Sequence, residues 1–312
     1  MQAGNVSLER LREIMEEVAS SGEWPAGASA IVEVDGEVRF EASEMEALLS
    51  EVDGDDAPWA DLLPELDEDD ERFYWWADRT YAAMALLSQA VTASEEAESE
   101  AGDLEVTDEV LCEGSLEVGG SLALSDSDAV LWVTGDLKVA GDLELADGAS
   151  LMVLGDVEVG GNWSDYAEWN VSLILGGLTV RGAVISSGEL LVGGRLTAPL
   201  VDVSYNHGRT VVLGGVTAWL LVESDHGESR FLGTHDVALV QIDESIGLEP
   251  TPIEDLLAGL REGLALPGLE DGEYDDLVDE YEEMDAIMEE LRGRLEDGEP
   301  VLKGDGEGPL YA

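Results

Sequence analysis

The segment Gly114-Ser115-Leu116-Glu117-Val118 recurs with small changes through the middle of the chain. A glycine is followed by a polar residue and then by apolar, variable and apolar positions. The recurrences are Gly135–Val139, Gly155–Val159, Gly177–Val180, Gly194–Ala198 and Gly215–Ala218, and successive glycines are 21, 20, 22, 17 and 21 residues apart. A period near 20 with internal alternation is typical of stacked short strands, in which each unit buries its apolar face against the next. The pattern therefore predicts a β-solenoid.

Further apolar runs lie between the glycine units and predict two or three short strands in each coil. These runs are 129–133, 150–154, 171–175, 190–192, 210–213 and 220–222. The expected fold class is mainly β, a single-stranded β-helix of about six coils of about 20 residues. At about 4.8 Å per rung its length would be roughly 30 Å.

The remaining sequence predicts flanking structure on both sides of the solenoid. We expect an acidic α+β N-terminal domain or cap over 1–103, the solenoid over 104–243, a helical cap over 244–298 and a flexible tail over 299–312.

Helix signals divide these flanks further. They predict helices over 7–20, from about 44, over 71–92 and from Thr251-Pro252 onward. The Asp35-Gly36 pair predicts a hairpin between 30–34 and 37–40.

The last predicted helix, 274–296, carries apolar residues at alternating spacings of four and three. They are Leu277, Tyr281, Met284, Met288, Leu291 and Leu295. This spacing is that of a coiled-coil seam. Two interpretations are open: the helix packs on the open end of the solenoid, or it pairs with a second copy of the chain in a homodimer.

The net charge is extreme. The chain has 72 acids and 14 bases, a formal net charge of −58. Such a field repels nucleic acid and anionic membranes and attracts basic proteins. Adaptation to a salty cytoplasm would produce the same composition, since screening over about 3 Å at molar salt removes self-repulsion. The sequence leaves both explanations open.

Other sequence features restrict the class of protein. Cys112 is the only cysteine, so an internal disulfide or a cysteine-based metal cluster is excluded. No secretory signal and no apolar run long enough to span a membrane is recognisable, so we expect a cytoplasmic protein. We expect no cofactor and no bound metal.

Two histidine-containing segments are 19 residues apart, close to one coil. They contain Asn206-His207 and Asp225-His226. Residues one period apart stack in a solenoid, so we expect the two pairs to lie next to each other at one corner. They could bind a small anion or a metal ion, or they could be polar side chains that cap the turn backbone. His235 could join them.

The segment Trp163–Trp169 interrupts the repeat with aromatic and polar residues. Trp163, Tyr166 and Trp169 are candidate binding anchors if they are exposed, and packing over a corner is the alternative. No nucleophile elbow, phosphate-binding loop or zincin helix occurs, so we do not expect an enzyme.

The glycine and aliphatic repetition over 114–218, with Gly214-Gly215-Val216-Thr217-Ala218 near its end, resembles the bactofilin-like β-helix proteins, which are polymer-forming and cytoskeletal. The resemblance covers about 40% of the chain. It implies a non-enzymatic scaffold that stacks end to end. The chain departs from that family in its acidic helical flanks, which we expect to cover the edge strands at the two ends and so to suppress polymerisation.

Two functional hypotheses follow. In the first, the acidic surface binds a basic protein partner, as an immunity protein, an inhibitor or a nucleic-acid mimic does. In the second, the solenoid is a self-assembling scaffold of the bactofilin kind. Residues 111–233 carry a net −12 over about six coils, which is about two charges per rung against roughly 2.8 for duplex DNA over the same rise.

Overall fold

The computed structural model describes residues 5–34, 37–38, 40, 42–51, 56–58, 73–91, 98–167, 169–203, 208–223, 229–242, 248–266, 286–291 and 293–294. The predicted β-solenoid is confirmed. Parallel strands stack over about seven turns from Glu98 to Ile242, one turn more than the sequence predicted. The additional first turn begins at Glu98, whose strand lacks the glycine and leucine of the repeat.

Each complete turn has three strands, which stack into three faces along the solenoid. The first face contains β5 (Glu98–Glu100), β8 (Leu116–Val118), β11 (Leu137–Val139), β14 (Val157–Val159), β17 (Leu178–Val180) and β20 (Leu196–Thr197). The second contains β6 (Leu104–Val106), β9 (Leu122–Leu124), β12 (Leu143–Leu145), β15 (Trp163–Asp165), β18 (Ala183–Ser186) and β21 (Leu200–Asp202). The third contains β7 (Glu109–Cys112), β10 (Val130–Val133), β13 (Ser150–Val153), β16 (Val171–Ile174), β19 (Glu189–Val192), β22 (Arg209–Val212) and β24 (Arg230–Phe231).

Two longer strands close the array. The strand β23 (Val216–Glu223) continues from the first face into the second and joins them into one 14-stranded sheet. It pairs in parallel with β25 (Asp236–Ile242), the last strand of the solenoid.

The core is a set of aliphatic columns that run along the solenoid. In one column Leu116, Leu137, Val157, Leu178, Leu196 and Val216 are in register. These residues are all nearly fully buried. Because equivalent positions of consecutive turns lie directly above one another, each turn covers the apolar face of the one below.

In the described part of the N-terminal flank there are four helices and two small antiparallel pairs. The helices are α1 (Leu8–Ser21), α2 (Ser29–Val32), α3 (Ala42–Glu51) and α4 (Phe73–Ser88), with a 3₁₀ turn at Pro25–Gly27. The pairs are β1 (Asn5–Ser7) with β4 (Asp56–Pro58), and β2 (Glu33–Val34) with β3 (Glu37–Val38).

The first predicted helix is confirmed, since Ser7 Oγ accepts the Arg10 N–H at its start and Gly22 ends it with a φ of 72°. The predicted strand over 30–34 is wrong in its first half. Ser29–Val32 is helical, and only Glu33–Val34 enters the hairpin.

The helices of both flanks pack along the sides of the solenoid and not at its two ends, where they are predicted. The third-face strands carry apolar residues on their outer side as well as on their inner side, including Trp132, Met152 and Leu173, and the N-terminal helices cover them. Strands that are apolar on both sides must be covered on both. The helix α5 (Ile253–Gly263) covers Ile185 and neighbouring apolar residues outside the second face.

Of the predicted 274–296 helix, the described part is helical at 286–291 and 293–294. Its Met288 and Leu291 are buried in the same apolar cluster as α5. These two seam positions therefore pack within the chain. The homodimer stays a prediction.

Glycines of the repeat allow the backbones of adjacent turns to approach closely. Gly155 N–H donates to the Gly135 carbonyl one turn before it at 3.0 Å. A Cβ on Gly155 would lie 2.6 Å from that carbonyl oxygen. Any side chain here would push two turns apart.

Gly155→Ala should therefore destabilise the protein by roughly 1–3 kcal/mol, the usual cost of overpacking. Urea denaturation followed by circular dichroism measures this. Gly102→Ala is the matched control because a Cβ at Gly102 has no atom within 4 Å, and we expect its effect to stay within about 0.5 kcal/mol. Equal effects of the two substitutions would contradict the stacking explanation.

Candidate functional site

A buried polar cluster interrupts one inward-facing column of the second face. The column begins with Val106, Leu124 and Leu145, and in the next two turns the equivalent positions are Asp165 and Ser186. Both polar residues are buried. The described residues Tyr166, Ala167, Trp169 and Asn170 follow Asp165 and form a corner loop between β15 and β16.

The Asp165 side chain holds this loop against the next turn. It accepts hydrogen bonds from the Asn170 side-chain amide at 2.5 Å, from Ser186 Oγ at 3.3 Å and from the Ala167 backbone N–H at 3.5 Å. It also accepts a hydrogen bond from the Gly188 backbone. Asn170 donates as well to the Leu145 carbonyl at 3.3 Å. We call Asp165, Asn170, Ser186 and Gly188 the polar corner.

Burial sets the acidity of Asp165. Loss of hydration raises the pKa of this carboxyl to about 7, and the hydrogen bonds from Asn170, Ala167, Ser186 and Gly188 offset that effect only in part. Because Asp165 and Asn170 are fully buried, the polar corner positions the loop and does not present a group to solvent.

The predicted aromatic anchors fall into two kinds. Trp163 is a strand residue of the core, stacked between Leu143 and Val184 and fully buried, so its prediction as a surface anchor is corrected. Its indole fills an inward position that aliphatic residues occupy in other turns. Tyr166 and Trp169, in the loop held by the polar corner, are 41% and 58% exposed.

The predicted histidine pairs lie outside the described residues. Asn206 and His207 fall within 204–207, and Asp225 and His226 fall within 224–228. Val203 and Val222, which come shortly before these two segments in sequence, are adjacent, since the Val203 N–H donates to the Val222 carbonyl at 3.0 Å. The alignment of the pairs and any role in binding remain predictions. Nδ1 of His235 accepts the Val216 N–H at 3.3 Å.

A buried ionic cluster that the sequence analysis missed fixes α4 to the third face. Arg209 and Glu189 occupy equivalent positions of adjacent turns, and Arg209 Nε donates to Glu189 Oε2 at 2.8 Å. The same guanidinium donates to both carboxylate oxygens of Asp78 on α4, at 2.9 and 3.2 Å. All three side chains are at most 1% exposed.

Burial alone would lower the pKa of Arg209, but the charges of Glu189 and Asp78 outweigh it and raise the pKa above its usual value. Arg209 therefore stays ionised. The sequence does contain a signal for the contact between Glu189 and Arg209. The two residues are 20 positions apart, which is one period of the repeat.

Exposed carboxylates are concentrated on the first turns of the solenoid. Of the 25 exposed residues between 98 and 160, fifteen are acids and one, Lys138, is a base. Of the nine exposed residues that the structure describes between 161 and 242, one is an acid, Asp236. The acids of that second part include Asp165, Glu189, Asp202 and Glu223, which are buried. We call residues 98–160 the acidic half.

Four aspartates of the acidic half are held in place by hydrogen bonds between turns. Asp103, Asp136, Asp142 and Asp156 each accept the backbone N–H of a residue in the following turn, at 2.7–2.9 Å. One turn after Asp142, the uncharged side chain of Asn162 has the same role and accepts the Ala183 N–H at 2.9 Å. These ladders fix the direction of the carboxylates.

In the part of the chain that the structure describes, no three or more histidine, cysteine, aspartate or glutamate side chains are grouped to hold a metal ion. Nor is any described helix long and apolar enough to cross a lipid bilayer.

The raised pKa of Asp165 should make stability depend on pH. Folded Asp165 retains its proton up to about pH 7, whereas the unfolded residue loses it near 3.8. The contribution of this group therefore falls as pH rises toward 7 and is level above it. The stability of the wild type relative to Asp165→Asn should drop by about 2 kcal/mol between about pH 5.5 and 7, at up to about 1.4 kcal/mol per unit. Urea denaturation across this range measures it, and parallel curves would contradict it.

Breaking the ionic cluster should be costly. Arg209→Met leaves two carboxylates buried without their cation, and we expect a loss of about 3–5 kcal/mol in unfolding free energy, measured by chemical denaturation. The control Arg181→Met removes an exposed arginine and should cost less than about 0.5 kcal/mol. The triple variant Asp78→Asn, Glu189→Gln, Arg209→Met should recover part of the loss. An Arg209→Met protein as stable as the control would show that the cluster does not anchor α4.

No protein-family model matches the chain, and neither a curated protein nor a solved structure does. The bactofilin resemblance accordingly rests on the repeat alone.

Proposed function

We propose that this chain is a non-enzymatic, cytoplasmic interaction protein that binds a basic protein partner through the acidic half. The observation that carries the proposal is the segregation of exposed charge: fifteen of 25 exposed residues are acids in the acidic half, against one of nine in the described part of 161–242. Adaptation to salt acts on any exposed surface. Within the described solenoid, the concentration of exposed acids on the first turns favours a docking surface there.

The charge density of the acidic half supports a partner that ordinarily binds nucleic acid. Residues 98–160 contain sixteen acids and one lysine, a formal net charge of −15. Over about three turns this is roughly five charges per 4.8 Å of rise, compared with about 2.8 for duplex DNA. The charge density of the acidic half is therefore higher than that of the duplex DNA that it would imitate. This suits an inhibitor or an immunity protein of the nucleic-acid-mimic type.

The aspartate ladders support the same proposal. Asp136 and Asp156 are hydrogen-bonded to the backbone of the following turn, so their carboxylates are oriented before a partner arrives. A preformed surface loses less side-chain entropy on binding than a mobile one. The acids Asp165, Glu189, Asp202 and Glu223 of the second part are buried and are therefore not presented to a partner in this way.

The scaffold alternative has less support. End-to-end stacking requires open strand edges at both ends. At the last turn, Thr251 accepts the Val240 N–H through Oγ1 at 2.9 Å and donates its own N–H to the Val240 carbonyl at 2.8 Å. Leu248 packs against the end of the aliphatic core. These contacts oppose addition of another turn at that end.

Neutralising the acidic half should weaken binding of a basic probe. The variant carries six substitutions that keep shape and, at the aspartates, the hydrogen-bond acceptor: Glu117→Gln, Glu144→Gln, Glu158→Gln, Asp136→Asn, Asp142→Asn and Asp156→Asn. We expect it to bind octa-arginine at least roughly tenfold more weakly than the wild type at low salt, because the local field is reduced. Fluorescence anisotropy over a salt series measures this.

The control changes the net charge equally but elsewhere on the chain. It carries six exposed glutamates replaced by glutamine: Glu16, Glu17, Glu23, Glu33, Glu249 and Glu262. We expect at most about a threefold loss of affinity, since these charges lie outside the acidic half. If both variants lose affinity equally, the total charge matters and the acidic half is not a docking surface.

A further inference from the structure

The first turn of the solenoid presents a strand edge that is bonded on one side. The Glu98 N–H donates to the Ser115 carbonyl at 2.9 Å, and the Glu100 carbonyl accepts the Gly119 N–H at 2.7 Å. In a parallel ladder alternate residues point their backbone groups to opposite sides. The N–H and C=O of Ser99, between these two residues, therefore point away from the second turn.

The next strand repeats this arrangement. The Leu104 N–H donates to the Ser121 carbonyl at 2.8 Å and the Val106 carbonyl accepts the Ser125 N–H at 2.9 Å. The backbone groups of Glu105 consequently point to the same open side as those of Ser99. Among the residues that the structure describes, no strand pairs with β5 or β6 on this side. We call these two strands the first-turn edge.

Apolar surface lies beside this edge. Leu104 and Val110 pack against the aliphatic core but are only partly buried. At the other end of the solenoid Leu248 and Thr251 cover the core and the last strand. The two ends therefore differ, and the first one offers both backbone hydrogen-bonding groups and an apolar floor.

The charge around the first-turn edge selects its occupant. Exposed carboxylates line it, and the sequence contains no lysine or arginine between Arg79 and Lys138. The acids are Glu98, Glu100, Asp103, Glu105, Asp108 and Glu109. A second copy of this chain that approached with its own first turn would bring the same charge to the contact, and its last turn is closed by Thr251. The chain's own segment 92–97, which leads into β5, carries Glu95 and Glu96 and is acidic too.

We propose that the first-turn edge binds an extended segment of the basic partner as an added β-strand, with lysine or arginine alternating with aliphatic residues. Backbone groups of Ser99 and Glu105 bond to the segment. Its cations face the carboxylates, and its aliphatic residues cover Leu104 and Val110. This is strand addition at an exposed sheet edge. The inference rests on the proposed function and specifies how the partner is held.

Ser99→Pro tests the backbone contribution without changing the charge. Proline removes an N–H that points to the open side, and proline is tolerated at such positions of edge strands. The probe is a fluorescently labelled octapeptide of alternating lysine and valine, titrated at low salt with the full-length chain. We expect Ser99→Pro to bind at least tenfold more weakly than the wild type, and Ser99→Ala, the matched control, to bind equally well.

A second probe does not depend on the folding of a variant. In this octapeptide the valine nitrogens are methylated, so that its charge is unchanged and its strand-pairing capacity is lost. The wild type should bind it at least tenfold more weakly. Equal binding of the two peptides to the wild type, or equal binding of the first peptide to Ser99→Pro and Ser99→Ala, would overturn strand addition while leaving a charge-driven partner in place.

Two other outcomes would also overturn the inference. If analytical ultracentrifugation shows that the wild type self-associates and Ser99→Pro does not, the occupant is a second copy of this chain. If neither the alternating peptide nor octa-arginine binds at low salt, the proposed function fails together with the inference.

Discussion

The register between turns is the constraint on which the rest of this protein depends. Every inward position of one turn lies over its equivalent in the next, as Leu116, Leu137 and Val157 do. This register buries aliphatic side chains in continuous columns and at the same time places the polar corners and the charged surface. A slip of one residue in any turn would bring polar residues inward and aliphatic residues outward.

The same register explains how a strongly acidic chain contains buried charges. Glu189 and Arg209 meet because they occupy one outward column of the third face, and α4 adds Asp78 from outside. Asp165 and Ser186 meet because they share an inward column. In each case a polar group in a dry environment has its partner in the next turn or in the adjoining helix, which is the condition for its burial.

The exposed acids do not depend on such partners. They are numerous where the surface is open, between 98 and 160, and scarce elsewhere in the described solenoid.

The sequence predicted the solenoid well because its signal is repeated many times, and errors at single positions do not obscure a period of about 20. The ends of α1 were predictable for a local reason, since Ser7 and Gly22 cap it. The side-on packing of the flanks was not predicted, although the third-face strands contain runs such as 130–133 without alternation. Such runs do not distinguish a strand covered on both faces from one near the end of a core.

The candidate site was predicted only in part. Tyr166 and Trp169 are exposed, but Trp163 is a core residue, and a single aromatic at a strand position does not show whether it points inward. The burial of Asp165 is not predictable from its neighbours in sequence, because they are polar and are typical of a surface loop. Its burial becomes evident only when it is aligned with Leu145 one turn earlier. The link between Arg209 and Asp78 spans 131 residues, and no local pattern encodes it.

The contacts of Thr251 with Val240 have a consequence for how such a chain can change length during evolution. Duplication of a turn in the interior would preserve both ends, since a new turn would present the same columns, glycines and aspartate ladder to its neighbours. Duplication at the last turn would separate Thr251 from the strand that it closes. Gain and loss of turns are therefore expected in the interior of the array, with the C-terminal closure inherited as a fixed unit.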